Sequence, residues 1–263
     1  MKSTARLTTI AILLSGTFFA SASLACSTDA WASAEAGALA DDPTNGVSRL
    51  SGFCALEVTG TGHVVDNSPT AETTFIGRFY VFPKNISAGT YEIFVALSDE
   101  GDPNSDVFVI SYDGANFIID AGAVGGDSVS VTADTTHWNL VEFSWSSGGE
   151  GNLWINSDAT VDDPDGSFAP GTGSIEQIRM GAVDGINTDM AFFDDYESHR
   201  SLPVGPLLAG DGNNDGNIDS GDIDKVVAEF LFSNLANGVP DCNLDGSVNS
   251  GDIDCVVAIF LGL

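Results

Sequence analysis

Two stretches near the C-terminal end carry oxygen-bearing side chains at a spacing suited to calcium. Residues 211–222 and 241–252 are offset by 30 positions, and both have Asp or Asn at positions 1, 3, 5, 9 and 12 and glycine at position 6. Ca²⁺ prefers such oxygen ligands, and glycine permits the sharp turn between them. We predict one calcium ion in each loop. The predicted ligands are Asp211, Asn213, Asp215, Asn217, Asp219 and Asp222 in the first loop and Asp241, Asn243, Asp245, Ser247, Asn249 and Asp252 in the second.

A helix is expected directly after each loop. Apolar residues recur at i, i+3, i+4, i+7 and i+8 from Ile223 and again from Ile253, which is the spacing of one helical face. Proline and glycine in residues 201–206 and 237–240 prevent an incoming helix before either loop. Two loops in register, each followed by the same apolar stripe, argue against a chance match.

The duplicated unit resembles a type I dockerin domain, over residues 208–263. The shared features are Asp-x-Asn-x-Asp-Gly, Asp at position 12, and an outgoing helix only. The resemblance implies docking to a cohesin module in secreted polysaccharide-degrading complexes. It also implies that loop positions 10 and 11 contact the partner, and these are Ser220, Gly221, Ser250 and Gly251. Glycine at position 11 departs from the Ser or Thr usual in that family.

The middle of the chain reads as strand after strand. Candidate strands are residues 53–59, 74–82, 90–98, 106–112, 116–121, 128–133, 137–146, 152–157, 174–183 and 189–198. Tyr91 to Leu97 alternates with period two, and Asp113-Gly114 is a hairpin signal. Residues 27–50 show little periodicity. We predict an antiparallel β-sandwich or jelly roll.

Three segments of this region resemble the concanavalin A-like, or laminin-G-like, jelly-roll superfamily. They are 137–143, 152–156 and 190–196, within a resemblance that covers roughly residues 50–200. The superfamily includes lectins, glucanases and adhesion modules, so this resemblance implies a fold without deciding a function.

No catalytic pattern stands out in the sandwich. The Glu-x-Asp-x-x-Glu string of glucanases is absent from the sequence. Asp194 and Asp195 are adjacent, so their side chains should point to opposite faces of a strand. Glu142 alternates with Val141 and Phe143 and should face solvent. We therefore predict no catalytic residue.

Four tryptophans leave two interpretations open. Core packing is the common fate of tryptophan in such sandwiches, whereas an exposed indole could stack against a sugar ring. The residues concerned are Trp31, Trp138, Trp145 and Trp154.

The first 25 residues have the features of a signal peptide. Lys2 and Arg6 precede a short apolar run, and small residues follow it. Four cysteines allow three connectivities, and locality favours Cys26–Cys54 and Cys242–Cys255 in an oxidising compartment. Lipidation of Cys26 is the alternative, which would leave an odd number of cysteines.

The charge balance restricts the possible partners. The 263-residue chain has 38 acidic and 8 basic residues, a net charge of −30. Such a charge disfavours nucleic acid as a partner. No mature segment has the roughly 18 consecutive apolar residues of a membrane span, so we expect a secreted protein that is extracellular, periplasmic or on the cell surface.

The sequence thus predicts a mainly β protein with four parts. These are a signal peptide (1–25), a concanavalin A-like sandwich (26–200), a linker (201–210) and a small α-helical dockerin-like domain with two calcium loops (211–263). The expected function is calcium-dependent docking to a cohesin-like or other extracellular protein, with a lectin-like sandwich accessory to polysaccharide binding or degradation. A glycoside hydrolase or lyase with its site in the sandwich is the alternative.

Overall fold

The computed structural model describes residues 26–41, 49–83, 89–184 and 190–263. The predicted signal peptide lies outside these ranges. Within them the chain forms fourteen strands and two α-helices. The strands are β1 (Ser33–Ala34), β2 (Ala38–Asp41), β3 (Ala55–Thr59), β4 (Gly62–Asp66), β5 (Thr74–Phe82), β6 (Tyr91–Leu97), β7 (Asp106–Tyr112), β8 (Asn116–Asp120), β9 (Ser128–Thr132), β10 (Asn139–Ser146), β11 (Gly151–Ile155), β12 (Gly166–Phe168), β13 (Gln177–Asp184) and β14 (Met190–His199). The helices are α1 (Ser220–Phe230) and α2 (Ser250–Leu261).

The strands form two antiparallel sheets, which confirms the predicted sandwich. Among the described residues, one seven-stranded sheet has the order β1-β4-β13-β6-β7-β8-β9. The other has the order β12-β11-β10-β5-β14-β3-β2, with β5 between β10 and β14. The predicted strands from β5 to β14 match the observed ones to within a few residues.

Aromatic side chains fill the space between the sheets. Phe94 stands at the centre, with its ring centroid 5.6 Å from that of Phe79 and 5.0 Å from that of Phe143. Gly77 on β5 gives this cluster room, because a Cβ there would lie 2.5 Å from Cζ of Phe143. The core is therefore close-packed around rings rather than around aliphatic chains alone.

The central strands β5 and β10 are buried on both faces. Their inward residues join the main core, whereas Tyr80, Phe82, Trp138 and Leu140 form a second apolar cluster on the outer face. Residues Leu207, Ala209, Val239 and Leu244 cover that cluster. The outer face of this sheet thus serves as a platform for the C-terminal part of the chain.

The prediction that Glu142 faces solvent is wrong. Its side chain does lie on the opposite face from Val141 and Phe143, but it is fully buried there. Its two carboxylate oxygens accept hydrogen bonds from the backbone N of Val204, at 2.7 Å, and of Gly205, at 2.9 Å. The alternation of side chains along β10 correctly placed Glu142 on the outer face of the sheet, but it could not show that residues 204–205 cover that face.

Four short strands were not predicted from the sequence. β1 and β2 lie in the stretch of low periodicity before residue 50, and β4 and β12 follow turns without a marked alternation. Strands of two to four residues offer too few positions for a period-two pattern to emerge, and β4, with five residues, has two adjacent valines that interrupt the alternation.

Both predicted disulfides are present. Cys26 is bonded to Cys54, and Cys242 to Cys255. Cys26 therefore has no free thiol for a lipid thioether. The first bond ties the N-terminal end of the described chain to β3, and the second joins the second loop to α2.

The C-terminal part has a small core of its own. Only Val226, Cys242 and Val256 are buried in it within the described residues. A buried ion pair links this part to the sandwich, since Arg49 Nη1 lies 2.8 Å from Glu229 Oε1 and Nη2 lies 2.9 Å from Oε2. Arg49 also donates to the carbonyl of Ala236 at 3.0 Å.

Candidate functional site

The two predicted calcium loops share the same internal frame. In the first, the backbone N of Gly216 donates to Oδ2 of Asp211 at 2.8 Å, and in the second, the N of Gly246 donates to Oδ2 of Asp241 at 2.8 Å. Both glycines have positive φ, +83° and +80°. Glycine at position 6 therefore provides the left-handed turn that brings the chain back over the first ligand.

The last acid of each loop closes that frame from the helix side. Asp222 is fully buried and accepts from the backbone N of Asn213, at 3.1 Å, and of Asp219, at 2.8 Å. Asp252 is also fully buried and accepts from Asn243 and Asn249, at 3.2 and 2.8 Å. Each forms a capping box with the residue at position 9, so helix start and loop closure are one structure.

Each loop keeps one buried oxygen without a hydrogen-bond partner. They are Oδ1 of Asn213 in the first loop and Oδ1 of Asp241 in the second. Burial and the nearby Asp252 carboxylate raise the pKa of Asp241 to about 8, and burial also raises the pKa of Asp252. An unpartnered buried oxygen beside a repelling carboxylate is a costly arrangement, and a cation would relieve it.

The remaining predicted ligands are less enclosed. Asp215, Asn217, Asp219, Asn243 and Ser247 are exposed, whereas Asp245 and Asn249 are half-buried. No three His, Cys, Asp or Glu side chains among the described residues converge into a metal-holding group. The structure thus brings positions 1 and 12 of each loop around the same turn and leaves the outer positions open.

The predicted partner-contacting residues lie at the helix starts. Ser220 and Ser250 are exposed, and Gly221 and Gly251 are half-buried. The N of Gly221 donates to Oδ1 of Asp219 at 2.6 Å, and the N of Gly251 donates to Oδ1 of Asn249 at 2.7 Å. A Cβ at Gly221 would meet only the ends of two side chains, at 3.1 Å, so local backbone geometry does not demand glycine there.

The two loops differ in their surroundings. A Cβ on Gly216 would meet nothing within 4 Å, whereas one on Gly246 would lie 2.8 Å from the Phe82 ring. The carbonyl of Leu244 accepts a hydrogen bond from the backbone N of Trp138 at 2.8 Å. The second loop is therefore seated on the sandwich, and the first is open.

An open cavity of about 580 Å³ lies beside the seated loop. Its wall contains side chains from β5, from the turn before β10, from the segment after β11, from residues 206–207, and from Asn243 and Leu244. This meeting place of distant segments could not be found from sequence, because no local pattern marks it.

The four tryptophans do not form an exposed platform. Trp138, Trp145 and Trp154 are buried. Trp31 is half-buried, and its ring lies 5.5 Å from that of Tyr196. Of the two interpretations, packing inside the protein is the one that agrees with these positions.

Asp194 and Asp195 do not point away from each other as predicted. Both contact Ser51: Asp194 Oδ2 accepts from its backbone N at 3.1 Å, and Asp195 Oδ2 bonds to its hydroxyl. The cause is an irregularity in β14 between Asp194 and Glu197, where Asp195 has φ +49°. Burial, with the charge of Asp195, raises the pKa of Asp194 to about 8.

Comparison with known proteins gives distant structural similarity only. No family model matches the chain, and no curated protein matches it. The ligand-binding domain of botulinum neurotoxin serotype D, in complex with N-acetylneuraminic acid, aligns with a TM-score of 0.47 and 13% identity, over 65% of this chain and 43% of that one. The cellulose-induced protein Cip1 aligns with a TM-score of 0.46 and 15% identity, over 68% and 91%.

The aligned part spans less than half of the toxin domain. At this similarity neither a ligand nor an activity carries over. In the described ranges, no helix has the length and apolar character needed to cross a bilayer.

Proposed function

We propose that this chain is a secreted, non-catalytic binding protein that docks to an extracellular partner through two calcium-binding loops. The observation that carries the proposal is the repeated loop frame, in which both copies hold their first and last acids by backbone N–H groups and leave a buried oxygen unpartnered. Calcium loops have this combination of fixed acids and free oxygens.

Asp211, Asn213, Asp215 and Asp222 would hold the ion in the first loop, with the carbonyl of Asn217 and with Asp219 through water. The equivalent set in the second loop is Asp241, Asn243, Asp245, Ser247, Asn249 and Asp252. When bound, calcium supplies positive charge to a segment whose nine Asp, one Glu and one Lys give it a net −9. The protein's own residues fix the turn and the helix starts around that charge.

The proposed organisation keeps the four parts predicted from sequence, with a signal peptide (1–25), a sandwich (26–200), a linker (201–210) and a docking unit (211–263). The linker is held in place rather than free to swing. Arg78 Nη1 donates to the carbonyl of Gly205 at 2.9 Å, and the N of Leu207 donates to the Tyr80 hydroxyl at 2.8 Å. The docking unit is therefore presented at a fixed angle to the sandwich.

The surface offered to the partner lies at the two helix starts and along the helices. Ser220 and Ser250 are exposed, as are large apolar side chains near both helix ends, such as Leu231 and Phe260. A cohesin-like module is the partner that fits the dockerin resemblance. The sandwich would then be the lectin-like cargo, accessory to polysaccharide binding or degradation.

Calcium-dependent capture tests this function. The full chain is immobilised, exposed to a panel of purified cohesin modules, and washed with calcium or with EDTA. We expect at least one module to be retained in calcium and released by EDTA. The double variant Asp211→Asn/Asp241→Asn should capture none, and retention that is insensitive to both EDTA and this variant would contradict the proposal.

One observation favours a hydrolase as a second candidate. Asp194, with its raised pKa, and the adjacent Asp195 line a cavity of about 170 Å³ together with Trp31 and Tyr196. Glycosidases use two carboxyl groups that flank the scissile bond, one of which has a raised pKa and acts as the acid. Release of reducing ends from neutral polysaccharides, abolished by Asp194→Asn, would select this candidate, and no release would dismiss it.

A further inference from the structure

Three parts of the chain line the cavity of about 580 Å³ beside the second loop. The sandwich, the segment 201–210 and the second loop each contribute to its wall. We infer that this cavity binds a neutral oligosaccharide, and that calcium in the second loop strengthens the binding. The inference rests on the proposed saccharide-binding role of the sandwich and names the place and the chemistry of that site.

The cavity wall combines apolar and polar side chains. Leu207 and Leu244 are half-exposed and Pro206 is exposed, so apolar surface is available. Asn156 and Ser157 also line the cavity, where Asn156 Oδ1 accepts from the backbone N of Leu140 at 2.8 Å and the Ser157 hydroxyl donates to the carbonyl of Ile155 at 3.2 Å. A sugar ring combines the same two kinds of surface, with apolar C–H faces and hydroxyl edges.

The charges around the cavity disfavour an anion. Asp134, Asp158 and Asp162 line it, and His137 is the only basic side chain in that wall. Each carboxylate has a donor from the protein: Asp134 Oδ2 lies 2.8 Å from His137 Nδ1, Asp162 Oδ2 accepts from the N of Asp158 at 2.9 Å, and Asp158 Oδ1 accepts from the N of Thr160 at 2.9 Å. Their remaining lone pairs can accept hydrogen bonds from the hydroxyl groups of a neutral ligand.

Trp138 is the indole that can report a ligand in this cavity. Its side chain lines the cavity, and its Nε1 is buried without a hydrogen-bond partner. Because Nε1 itself is covered by protein, a bound ligand would act on its resonance through the ring that lines the cavity. Trp145 offers an internal contrast, because its Nε1 donates to the carbonyl of Pro170 at 2.7 Å inside the main core.

The second loop connects the cavity to calcium. Leu244 and Asn243 both belong to the cavity wall, and Asn243 is also the third position of the loop. The backbone bond between Leu244 and Trp138, and the contact of Gly246 with Phe82, hold loop and cavity together. Fixing the loop around an ion therefore fixes one wall of the cavity, which removes part of the ordering cost of binding.

The indole N–H resonances of the full chain provide a direct test. The protein in millimolar calcium is titrated with cellotetraose, xylotetraose and laminaritetraose, with tetragalacturonic acid as the anionic control. We expect at least one neutral tetrasaccharide to shift the Trp138 resonance saturably and to leave that of Trp145 unmoved. Shifts with the anionic sugar alone, or with none of the four, would overturn the inference.

A matched pair of substitutions tests the location. Leu207→Trp fills the cavity, and Leu202→Trp makes the same change five residues earlier at an exposed position outside it. Filling the pocket should weaken saccharide binding by about tenfold or more, and the control should leave it within about twofold. Equal affinities for the two variants would place the ligand elsewhere.

A second pair tests the calcium link and separates this inference from the proposed function. Asp241→Asn in the seated loop should weaken saccharide binding more than Asp211→Asn in the open loop, and an equal or smaller loss would overturn the link. A chain that takes up two calcium ions but no tetrasaccharide would overturn the cavity and leave calcium docking intact. Saccharide binding by a chain that takes up no calcium would support the cavity, and it would overturn both the calcium link and the proposed calcium docking.

Discussion

The sandwich and the C-terminal loops both bury carboxylates, and they compensate the buried charge differently. In the sandwich, Glu142 accepts from two backbone N–H groups and lies near Arg78, and Asp194 accepts from three backbone N–H groups. In the second loop, Oδ1 of Asp241 is buried and no donor of the chain is bonded to it. The two sandwich carboxylates are thus held by the protein's own N–H groups, whereas the loop carboxylate keeps an oxygen that a bound cation could contact.

The two regions also differ in apolar support. The sandwich has a continuous core of packed rings, whereas the core between the C-terminal loops and helices contains three fully buried residues among those described. So small a core cannot stabilise two helices without help. The help comes from the disulfide Cys242–Cys255, from the ion pair Arg49–Glu229, and from calcium if the proposed function holds.

The largest expected effect is that of calcium removal. EDTA should melt α1 and α2 and leave the sandwich folded, because each ion at about 100 times its dissociation constant stabilises by roughly 2.7 kcal/mol. The helical bands of the far-UV circular dichroism spectrum should fall, while the near-UV signal of the aromatic side chains in the main core persists. Unchanged helical bands would show that the two helices do not depend on calcium and would contradict this difference between the two regions.

Next in size is the ion pair that joins the regions. Arg49→Met alone should destabilise the C-terminal part by about 3–5 kcal/mol, because it leaves Glu229 buried and unpaired. The double variant Arg49→Met/Glu229→Leu should recover most of that loss, as measured by chemical denaturation in calcium. Arg200→Met, which breaks a less buried contact with Glu72, is the control and should cost about 1 kcal/mol or less. Additive losses for the two single changes would refute the coupling.

Substitution of the glycine at position 6 of each loop tests the difference between the two loops. Gly216→Ala and Gly246→Ala impose the same left-handed strain, about 1 kcal/mol each. The second should cost more, because the new Cβ would lie 2.8 Å from the Phe82 ring. Thermal unfolding of the two variants in calcium isolates the contribution of the sandwich contact. Equal costs would mean that the seated loop is as free as the open one.

A pH dependence is expected within the sandwich and is confined to one side chain. Folding raises the pKa of Asp194 from 3.8 to about 8. The stability from this group is therefore fully present below pH 3.8 and is lost as pH rises through 8. Asp194→Asn should flatten the decline of unfolding free energy across that window. An unaltered slope in denaturant titrations would show that the three N–H donors keep the carboxylate ionised.

Sequence patterns predicted what is local and missed what depends on distant contacts. Period-two alternation located most strands, and the spacing of oxygen side chains located both loops. The same alternation could not show that Glu142 is covered, because its partners lie 62 and 63 residues further along. Nor could it show the pairing of Arg49 with Glu229, which are 180 residues apart.

The asymmetry of the loops is the clearest case. Their ligand positions match in spacing, so the ligand pattern alone predicts equivalent environments; the loops differ at position 4, which is Asn214 in the first and the apolar Leu244 in the second. Only the fold shows that Leu244 and Gly246 rest on the sandwich while Gly216 remains open. The difference arises from apolar residues on the outer face of β5 and β10. The loop sequences alone do not show which loop packs against that face.

Calorimetric titration of the metal-free full chain with Ca²⁺ shows whether the paired loops bind calcium. We expect saturable heat with a stoichiometry of two, at affinities on the order of 10⁻⁴–10⁻³ M or tighter. The stoichiometry should fall to one in Asp211→Asn and in Asp241→Asn. Absence of saturable heat in the unaltered chain would show that the loops do not bind calcium and leave a β-sandwich with an unassigned C-terminal part.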